Sequence, residues 1–169
     1  MDSLVSTEWL DAELGAGDLR VVDATLFLPG MGRDARAEFE AAHIPGAVFF
    51  DIGEIADRDS PFPHMLPPAH KFSSRMQTLG IGDGNRVVVY DNSPLHSAAR
   101  AWFMLRAFGA HYVAILDGGL RKWTAEGRRL ENESRPHRHG HFTALLDEKA
   151  VADKAFVRGL IGTGSHVIA

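Results

Sequence analysis

Residues 86–97, with the sequence RVVVYDNSPLHS, decide the fold of this chain. The segment Arg86–Tyr90 is a run of β-forming residues, which is typical of a strand buried on both faces of a parallel sheet. A short loop from Asp91 to His96 follows it, and Ser97 is a favourable N-cap for a helix. The helix predicted from Ala98 to Phe108 completes a strand–loop–helix unit, which indicates an α/β domain.

Strands and helices alternate on both sides of this unit. Further strands are predicted at Leu19–Asp23, Ala47–Phe50 and Val113–Leu116, and further helices at Arg33–Ala42, Pro68–Leu79 and Leu120–Glu126. Residues 53–67 are acidic and then rich in proline, so we expect a long surface connection there. Alternation of this kind requires crossover connections, which predicts a mostly parallel sheet with helices on both faces.

The composition excludes several classes of function. The net charge of −4 argues against a nucleic-acid partner, and no apolar run is long enough to span a membrane. The first residues have neither a basic stretch nor an apolar core, so we expect no signal peptide and a cytoplasmic location. The chain has no cysteine, which excludes disulfides, thiolate metal sites and a cysteine nucleophile within it.

The C-terminal part differs in character from the rest. We expect residues 131–144 to be a linker, and we interpret the alternating histidines at its centre as solvent-exposed rather than as a weak metal site. Residues 145–169 are expected to begin a second domain, with a helix within Leu145–Leu160 and a strand at His166–Ala169 that stops early. This pattern predicts a truncated second domain, although a docked C-terminal strand would look the same.

An ordered set of motifs carries a resemblance to a known family. The motifs are His43–Ala47, Phe49–Ile52, Ser60–Pro61, His64–Pro67, Val87–Asp91, Ser97, Arg100–Trp102, Leu116–Leu120 and Trp123. Together they resemble the N-terminal half of the 3-mercaptopyruvate and thiosulfate sulfurtransferases over residues 1–130. The resemblance implies a rhodanese-like domain at these residues, with a five-stranded parallel sheet and helices on both faces.

The resemblance also implies how the intact enzyme would work. A cysteine in the C-terminal domain of such enzymes takes sulfur from a small donor as a persulfide and passes it to a thiol or cyanide. The N-terminal domain usually lacks that cysteine. The expected partner is therefore a catalytic C-terminal rhodanese domain, with no cofactor, no metal, no nucleic acid and no membrane.

Asp91 stands at the strand-end position that matches the family cysteine. The loop from Asp91 to Ser97 has the length of an active rhodanese loop, but Pro94 removes one backbone donor and no glycine occurs between the two ends. We interpret Asp91 as a structural residue that accepts hydrogen bonds from loop N–H groups. The alternative is a phosphoryl-accepting aspartate, but such enzymes usually need a second acid where Ser93 stands.

His64 is the candidate functional residue of this chain. In the enzymes that it resembles, a histidine in this segment faces the active site of the other domain, where it could orient or polarise the sulfur donor. Asp51 and Glu54 are nearby acids that could orient the imidazole, whereas family members often carry an acid where Gly53 stands. The competing interpretation is a surface histidine in a loop.

Two functional hypotheses of different classes follow. In the first, the chain is the non-catalytic half of a sulfurtransferase and is inactive alone. In the second, it is a free-standing rhodanese domain without cysteine that acts as a binding or regulatory module. An aspartate-dependent phosphatase is the third and weakest hypothesis.

Overall fold

A computed structural model describes residues 1–133 and 139–164 of the chain. Five strands occur in the described part, β1 (Leu4–Val5), β2 (Leu19–Asp23), β3 (Ala47–Phe49), β4 (Arg86–Tyr90) and β5 (Tyr112–Leu116). Seven α-helices accompany them, α1 (Thr7–Glu13), α2 (Ala35–Ala41), α3 (Ile52–Ile55), α4 (Ala69–Thr78), α5 (Ala98–Ala107), α6 (Gly119–Ala125) and α7 (Lys154–Leu160), with a short 3₁₀ helix at Glu148–Ala150.

The five strands form one parallel sheet in the order β1-β5-β4-β2-β3. Strand β4 lies at its centre, paired with β2 from Leu19↔Arg86 to Asp23↔Tyr90 and with β5 on the other side. The prediction of an α/β fold with a parallel five-stranded sheet is therefore confirmed. Strand β1 and helix α1 had not been predicted.

Alternate residues of β4 enter two separate cores, as the two-residue period of a strand requires. Val87 and Val89 belong to the core under α3, α4 and α5, which includes Phe72 and Phe108. Val88 and Tyr90 belong to the opposite core, which α1, α2 and α6 cover and in which Trp123 is fully buried. This arrangement explains why the central strand is apolar at successive positions.

Residues 139–147 lie against the domain, and we call them the strap. Phe142 is only 3% exposed and packs edge-on against Phe72, with ring centroids 5.8 Å apart. Ser73 Oγ donates a hydrogen bond to the carbonyl of Phe142, and the backbone N–H of Thr143 donates to Asp83 Oδ1 at 2.9 Å. The strap therefore adds to the core of the domain.

This packing was not expected of a linker at 131–144, although the side chains of His139 and His141 are exposed, as predicted. Glu131 pairs with His43 in an isolated β-bridge. The backbone carbonyl oxygen of His141 accepts a hydrogen bond from the N–H of Asp83 at 2.7 Å. Residues 134–138, in the middle of the expected linker, and the expected strand at His166–Ala169 lie outside the described residues. The function of the segment as a linker between two domains stays a prediction, as do the domain boundaries.

Helix α7 falls within the predicted range but covers only part of it. It begins at Lys154, with the carboxylate of Asp153 accepting from the N–H of Phe156 at 2.7 Å. Phe156 is 57% exposed, so this helix does not bury its aromatic residue in the described part of the chain.

Candidate functional site

The loop Asp91–His96 lies at the carboxyl edge of the sheet, where ligands of open α/β sheets usually bind. A cleft of about 960 Å³ opens beside it. The loop itself, the first residues of α5, the end of β5 and the start of α6 form its walls. The structure thus places a cleft beside Asp91, the residue at the end of the central strand.

The carboxylate of Asp91 is occupied by backbone N–H groups of its own loop and helix. Its Oδ2 accepts a hydrogen bond from the N–H of Ala98 at 2.6 Å, and its Oδ1 accepts from the N–H of Ser93 at 3.3 Å. A bound anion would need the same donors at the start of α5. The Asp91 carboxylate therefore accepts from these N–H groups itself, which agrees with its interpretation as a structural acceptor.

Ser97 is the N-cap residue of α5, as predicted, but its hydroxyl group makes no capping hydrogen bond. The backbone of Ser97 is already helical, and its Oγ accepts a hydrogen bond from the N–H of Leu26 at 3.0 Å. Ser93 Oγ in turn donates to the carbonyl of Leu26 at 2.6 Å. Both hydroxyl groups tie the Asp91 loop to the chain after β2, which leaves the cap to Asp91.

A buried polar pair lies beneath this loop and was not anticipated. Asp23 is 2% exposed, and its Oδ1 accepts from the N–H of Thr25 at 2.8 Å. The fully buried hydroxyl group of Tyr90 interacts with the Asp23 carboxyl and accepts from the N–H of Ile44 at 3.3 Å. Burial raises the pKa of Asp23 against the opposing effect of these hydrogen bonds, and it raises the pKa of Tyr90 well above its ordinary value.

The raised pKa of Asp23 predicts a pH-dependent stability. The folded state favours the protonated carboxyl of Asp23. The contribution of this carboxyl to the free energy of unfolding is therefore fully present below its unfolded pKa of about 3.9, and it is lost as pH rises through the higher pKa of the folded state. We expect the free energy of unfolding of the wild type to fall relative to that of Asp23→Asn between acidic and neutral pH. Urea denaturation of both proteins across this range measures the difference.

Asp18 supplies the control for this experiment. A hydrogen bond from Arg86 lowers the pKa of its carboxyl, so the wild type should gain stability relative to Asp18→Asn as pH rises. A stability difference between wild type and Asp23→Asn that does not change with pH would contradict the assignment.

His64 lies in the loop Asp57–Leu66, which we call the His64 loop. Its side chain is exposed and its backbone is left-handed, with φ of 58°. The carbonyl oxygen of His64 accepts a hydrogen bond from Nη2 of Arg100, in the first turn of α5, at 2.7 Å. Because α5 begins at the end of β4, this contact places the His64 loop at the carboxyl edge of the sheet.

The two acids that the sequence offered as partners of His64 have other partners. The carboxylate of Asp51 caps α3 by accepting from the N–H of Glu54 at 3.0 Å. Glu54 forms an ion pair with Arg75 at 2.7 Å. The expectation that either acid orients the imidazole is therefore not supported, and the hydrogen bonds of the described residues include none to that ring.

Large apolar side chains are exposed on three loops at the carboxyl edge of the sheet. They lie on the loop after β2, on the His64 loop and on the Asp91 loop. Leu28 is 49%, Met31 37%, Phe62 66%, Met65 47% and Leu95 42% exposed, and we call these five the edge apolar residues. An apolar surface beside a cleft is typical of an interaction site.

The sequence comparison assigns this fold and cleft to a family. The model of the rhodanese-like domain matches residues 6–126. The chain belongs to the rhodanese-like family. It is 46% identical to human 3-mercaptopyruvate sulfurtransferase over 151 residues, which is 86% of the chain and 51% of the relative. It is 40% identical to the Escherichia coli 3-mercaptopyruvate sulfurtransferase over 148 residues, 87% of the chain and 53% of the relative.

Solved structures give the same assignment. The crystal structure of an Escherichia coli 3-mercaptopyruvate sulfotransferase with the rhodanese fold superposes with a TM-score of 0.89 at 37% identity, over 95% of this chain and 62% of that one. The Tum1 protein of Saccharomyces cerevisiae gives 0.83 at 27% identity, over 96% and 56%. The rhodanese-like chain spans about half the length of the curated relatives that it matches.

Two further observations concern ligands and membranes. Within residues 1–133 and 139–164 of this rhodanese-like chain, no group of three or more His, Asp or Glu side chains is arranged to hold a metal ion. No helix in the same two ranges is both long and apolar enough to cross a lipid bilayer. The cytoplasmic location and the absence of a cofactor stay predictions.

Sequence reasoning missed two features of the rhodanese-like site. Asp23 ends a strand, but its partner Tyr90 ends another strand that is far away in the sequence. Arg100 was recognised only as part of a family motif, whereas it contacts the His64 loop. Its place in the first helical turn after a strand-end loop is the sequence signal that could have located Arg100 at the carboxyl edge of the sheet.

Proposed function

We propose that this chain is the non-catalytic half of a rhodanese-type sulfurtransferase. Its carboxyl edge packs against a catalytic rhodanese domain that carries the nucleophilic cysteine. The observation that carries the proposal is the carboxylate of Asp91, which occupies the strand-end position and is committed to the N–H groups of Ser93 and Ala98. The absence of cysteine from the chain agrees with it.

The sulfur chemistry belongs to the intact enzyme. A cysteine thiolate of the catalytic domain attacks the transferable sulfur of the donor and forms an S–S bond. The bond between that sulfur and the rest of the donor breaks, and the rest leaves as pyruvate from 3-mercaptopyruvate or as sulfite from thiosulfate. The resulting persulfide then yields its sulfur to a thiol or to cyanide. Relatives of the chain bear the names of both donors, which supports this class of substrate without choosing between them.

The exposed side chains of the carboxyl edge support the docking of a second domain there. The edge apolar residues are exposed on three loops of this edge, and Phe62 and Met65 flank His64 in the sequence. Covering them removes apolar surface from water, at about 25 cal/mol per Å². A catalytic domain seated on this edge would bring its active site towards His64, which would then orient or polarise the donor.

One observation favours the alternative of a free-standing binding module. The strap is docked on the domain through Phe142, as expected for a chain that completes its own core. The exposed apolar side chains of the segment after the strap favour the half-enzyme, because Phe156 of α7 and Ile161 are 57% and 69% exposed. The half-enzyme is therefore the better-supported function. The phosphatase hypothesis has no support, since Ser93 replaces the second acid and bonds Leu26.

A sulfur-transfer assay to cyanide, with 3-mercaptopyruvate and with thiosulfate, tests the proposal. The chain alone should show no turnover. The test protein is a chimera in which this chain replaces the half of the Escherichia coli relative that it matches. We expect the chimera to exceed the isolated catalytic half, since linkage raises the local concentration of the two domains.

His64→Ala in this chimera should lower kcat by roughly 100-fold, the lower end of the range for a lost proton-handling group. His111→Ala is the matched control and should leave kcat unchanged, because His111 is also an exposed histidine but lies directly before β5, at the opposite edge of the sheet. Turnover by the chain alone, or a chimera no faster than the isolated catalytic half, would overturn the proposal.

A further inference from the structure

Arg100 differs from four other arginines of the chain. Arg33, Arg75, Arg86 and Arg128 each form an ion pair with a carboxylate. For Arg100, the described part of the chain provides no such pair, and its Nε is buried without a hydrogen-bond partner there. Burial accordingly lowers its pKa. A half-buried cation without an anion is costly, which indicates a specific task for this side chain.

The contact that Arg100 does make is with the His64 loop. Its Nη2 donates to the carbonyl oxygen of His64 at 2.7 Å, across 36 positions of sequence. Its guanidinium group lies 5.6 Å from the ring centroid of Phe103, one turn along α5. A planar guanidinium can stack on a ring and donate at its edge simultaneously, which a lysine ammonium cannot do.

Other hydrogen bonds close the His64 loop and fix the residues that precede it, but none of these bonds involves His64. The N–H of Asp57 donates to the carbonyl of Met65 at 3.0 Å, which closes the loop on itself. Lys71 Nζ donates to the carbonyls of Glu54 and Ala56 at 2.7 and 2.6 Å, before the loop begins. Arg100 links the loop to α5, which is the helix that Asp91 caps.

The backbone of His64 needs such a link. Its φ of 58° lies in the left-handed region, which residues with a Cβ rarely adopt. A charged donor on the carbonyl of the same residue favours this conformation over an extended one. The direction in which the imidazole leaves the backbone is thereby fixed.

We propose that Arg100 is a positioning residue, which holds His64 in its left-handed conformation and so aims the imidazole at the active site of the catalytic domain. The inference rests on the proposed role of His64. It adds that the orientation of His64 comes from a backbone hydrogen bond, and not from a carboxylate on its ring.

The positioning is measured first on the chain itself by NMR. Arg100→Met removes the donors at similar length, and we expect the ¹³Cα and ¹³Cβ shifts of His64 to leave their left-handed values. Amide exchange at Asp57 should accelerate by roughly tenfold as the loop opens. Arg100→Lys keeps one donor and should restore part of both signals, which also provides a folded variant if Arg100→Met does not fold.

Arg106→Met is the matched control. Arg106 lies on the same helix, and its Nη1 donates to the carbonyl of His111 at the opposite end of α5. This variant should leave the shifts of His64 and the exchange of Asp57 unchanged. His64 shifts that stay left-handed in Arg100→Met would overturn the inference.

The chimera then separates this inference from the proposed function. Arg100→Met should lower kcat by roughly tenfold, as a misplaced catalytic group does, with a smaller effect on KM. In the His64→Ala background the same change should have no further effect. An additive loss would show that Arg100 acts independently of His64 and would overturn the inference. If His64→Ala itself has no effect, the proposed role of His64 fails, while the NMR result still decides whether Arg100 holds the backbone of His64.

Discussion

Phe142→Ala should lower the free energy of unfolding by about 3 kcal/mol, the lower end of the range for a buried phenylalanine. Phe142 is 3% exposed and contacts Phe72, which itself stacks on Phe108 with ring centroids 4.3 Å apart. Removing the ring leaves a cavity beside this aromatic stack. It also weakens the attachment of the strap, because the carbonyl of Phe142 accepts from Ser73 and Gln77. Urea denaturation followed by tryptophan fluorescence measures the loss.

Phe156→Ala is the matched control for Phe142→Ala. Phe156 is also a phenylalanine of the C-terminal region, but it is 57% exposed on α7. Its replacement should change stability by less than about 0.5 kcal/mol, as at ordinary surface positions. Equal effects of the two substitutions would show that the strap is not part of the core.

Gly119→Ala should destabilise the domain by about 3 kcal/mol, through a left-handed backbone and a steric clash together. Gly119 begins α6 with φ of 56°. A Cβ at this position would lie 2.5 Å from the carbonyl oxygen of Asp91, an atom that accepts a hydrogen bond from the N–H of Leu120 at 3.0 Å. Because that neighbour is backbone, Asp91 must move, and the cap of α5 must move with it.

Gly127→Ala separates the two causes. Gly127 has φ of 68°, but a Cβ there would meet no atom within 4 Å. Its replacement should cost about 1 kcal/mol, the penalty of the left-handed backbone alone. The difference between the two variants in thermal or urea unfolding measures the close approach of α6 to Asp91. A difference near zero would contradict the clash.

The sheet was predictable from sequence because its central strands are apolar at successive positions. Leu19–Asp23 and Arg86–Tyr90 are in register with one another, and both were identified from their residue types alone. Strand β1 escaped prediction because two residues, Leu4 and Val5, carry no period. Its existence depends on the partner strand β5, which a local pattern cannot reveal.

The candidate site was predictable only in part, for a related reason. Asp91 was recognised as a structural acceptor from its place at a strand end. The cap was assigned to Ser97 because serine commonly has that role next to a helix, whereas the carboxylate of Asp91 reaches Ala98 across the loop. The links between Asp23 and Tyr90 and between Arg100 and His64 join distant segments, so only the folded chain shows them.

The position of β1 has a consequence for the order of events during synthesis. Leu4 pairs with Ile115 and Val5 with Leu116, so the strand of this sheet that is synthesised first lies at an edge that forms only after β5 has been made. Helix α1 and its buried Leu10 must therefore wait for most of the domain before they find their permanent neighbours. Contacts between such distant segments slow folding. A nascent chain arrested before residue 112 should accordingly keep its N-terminal segment open to proteases and chaperones.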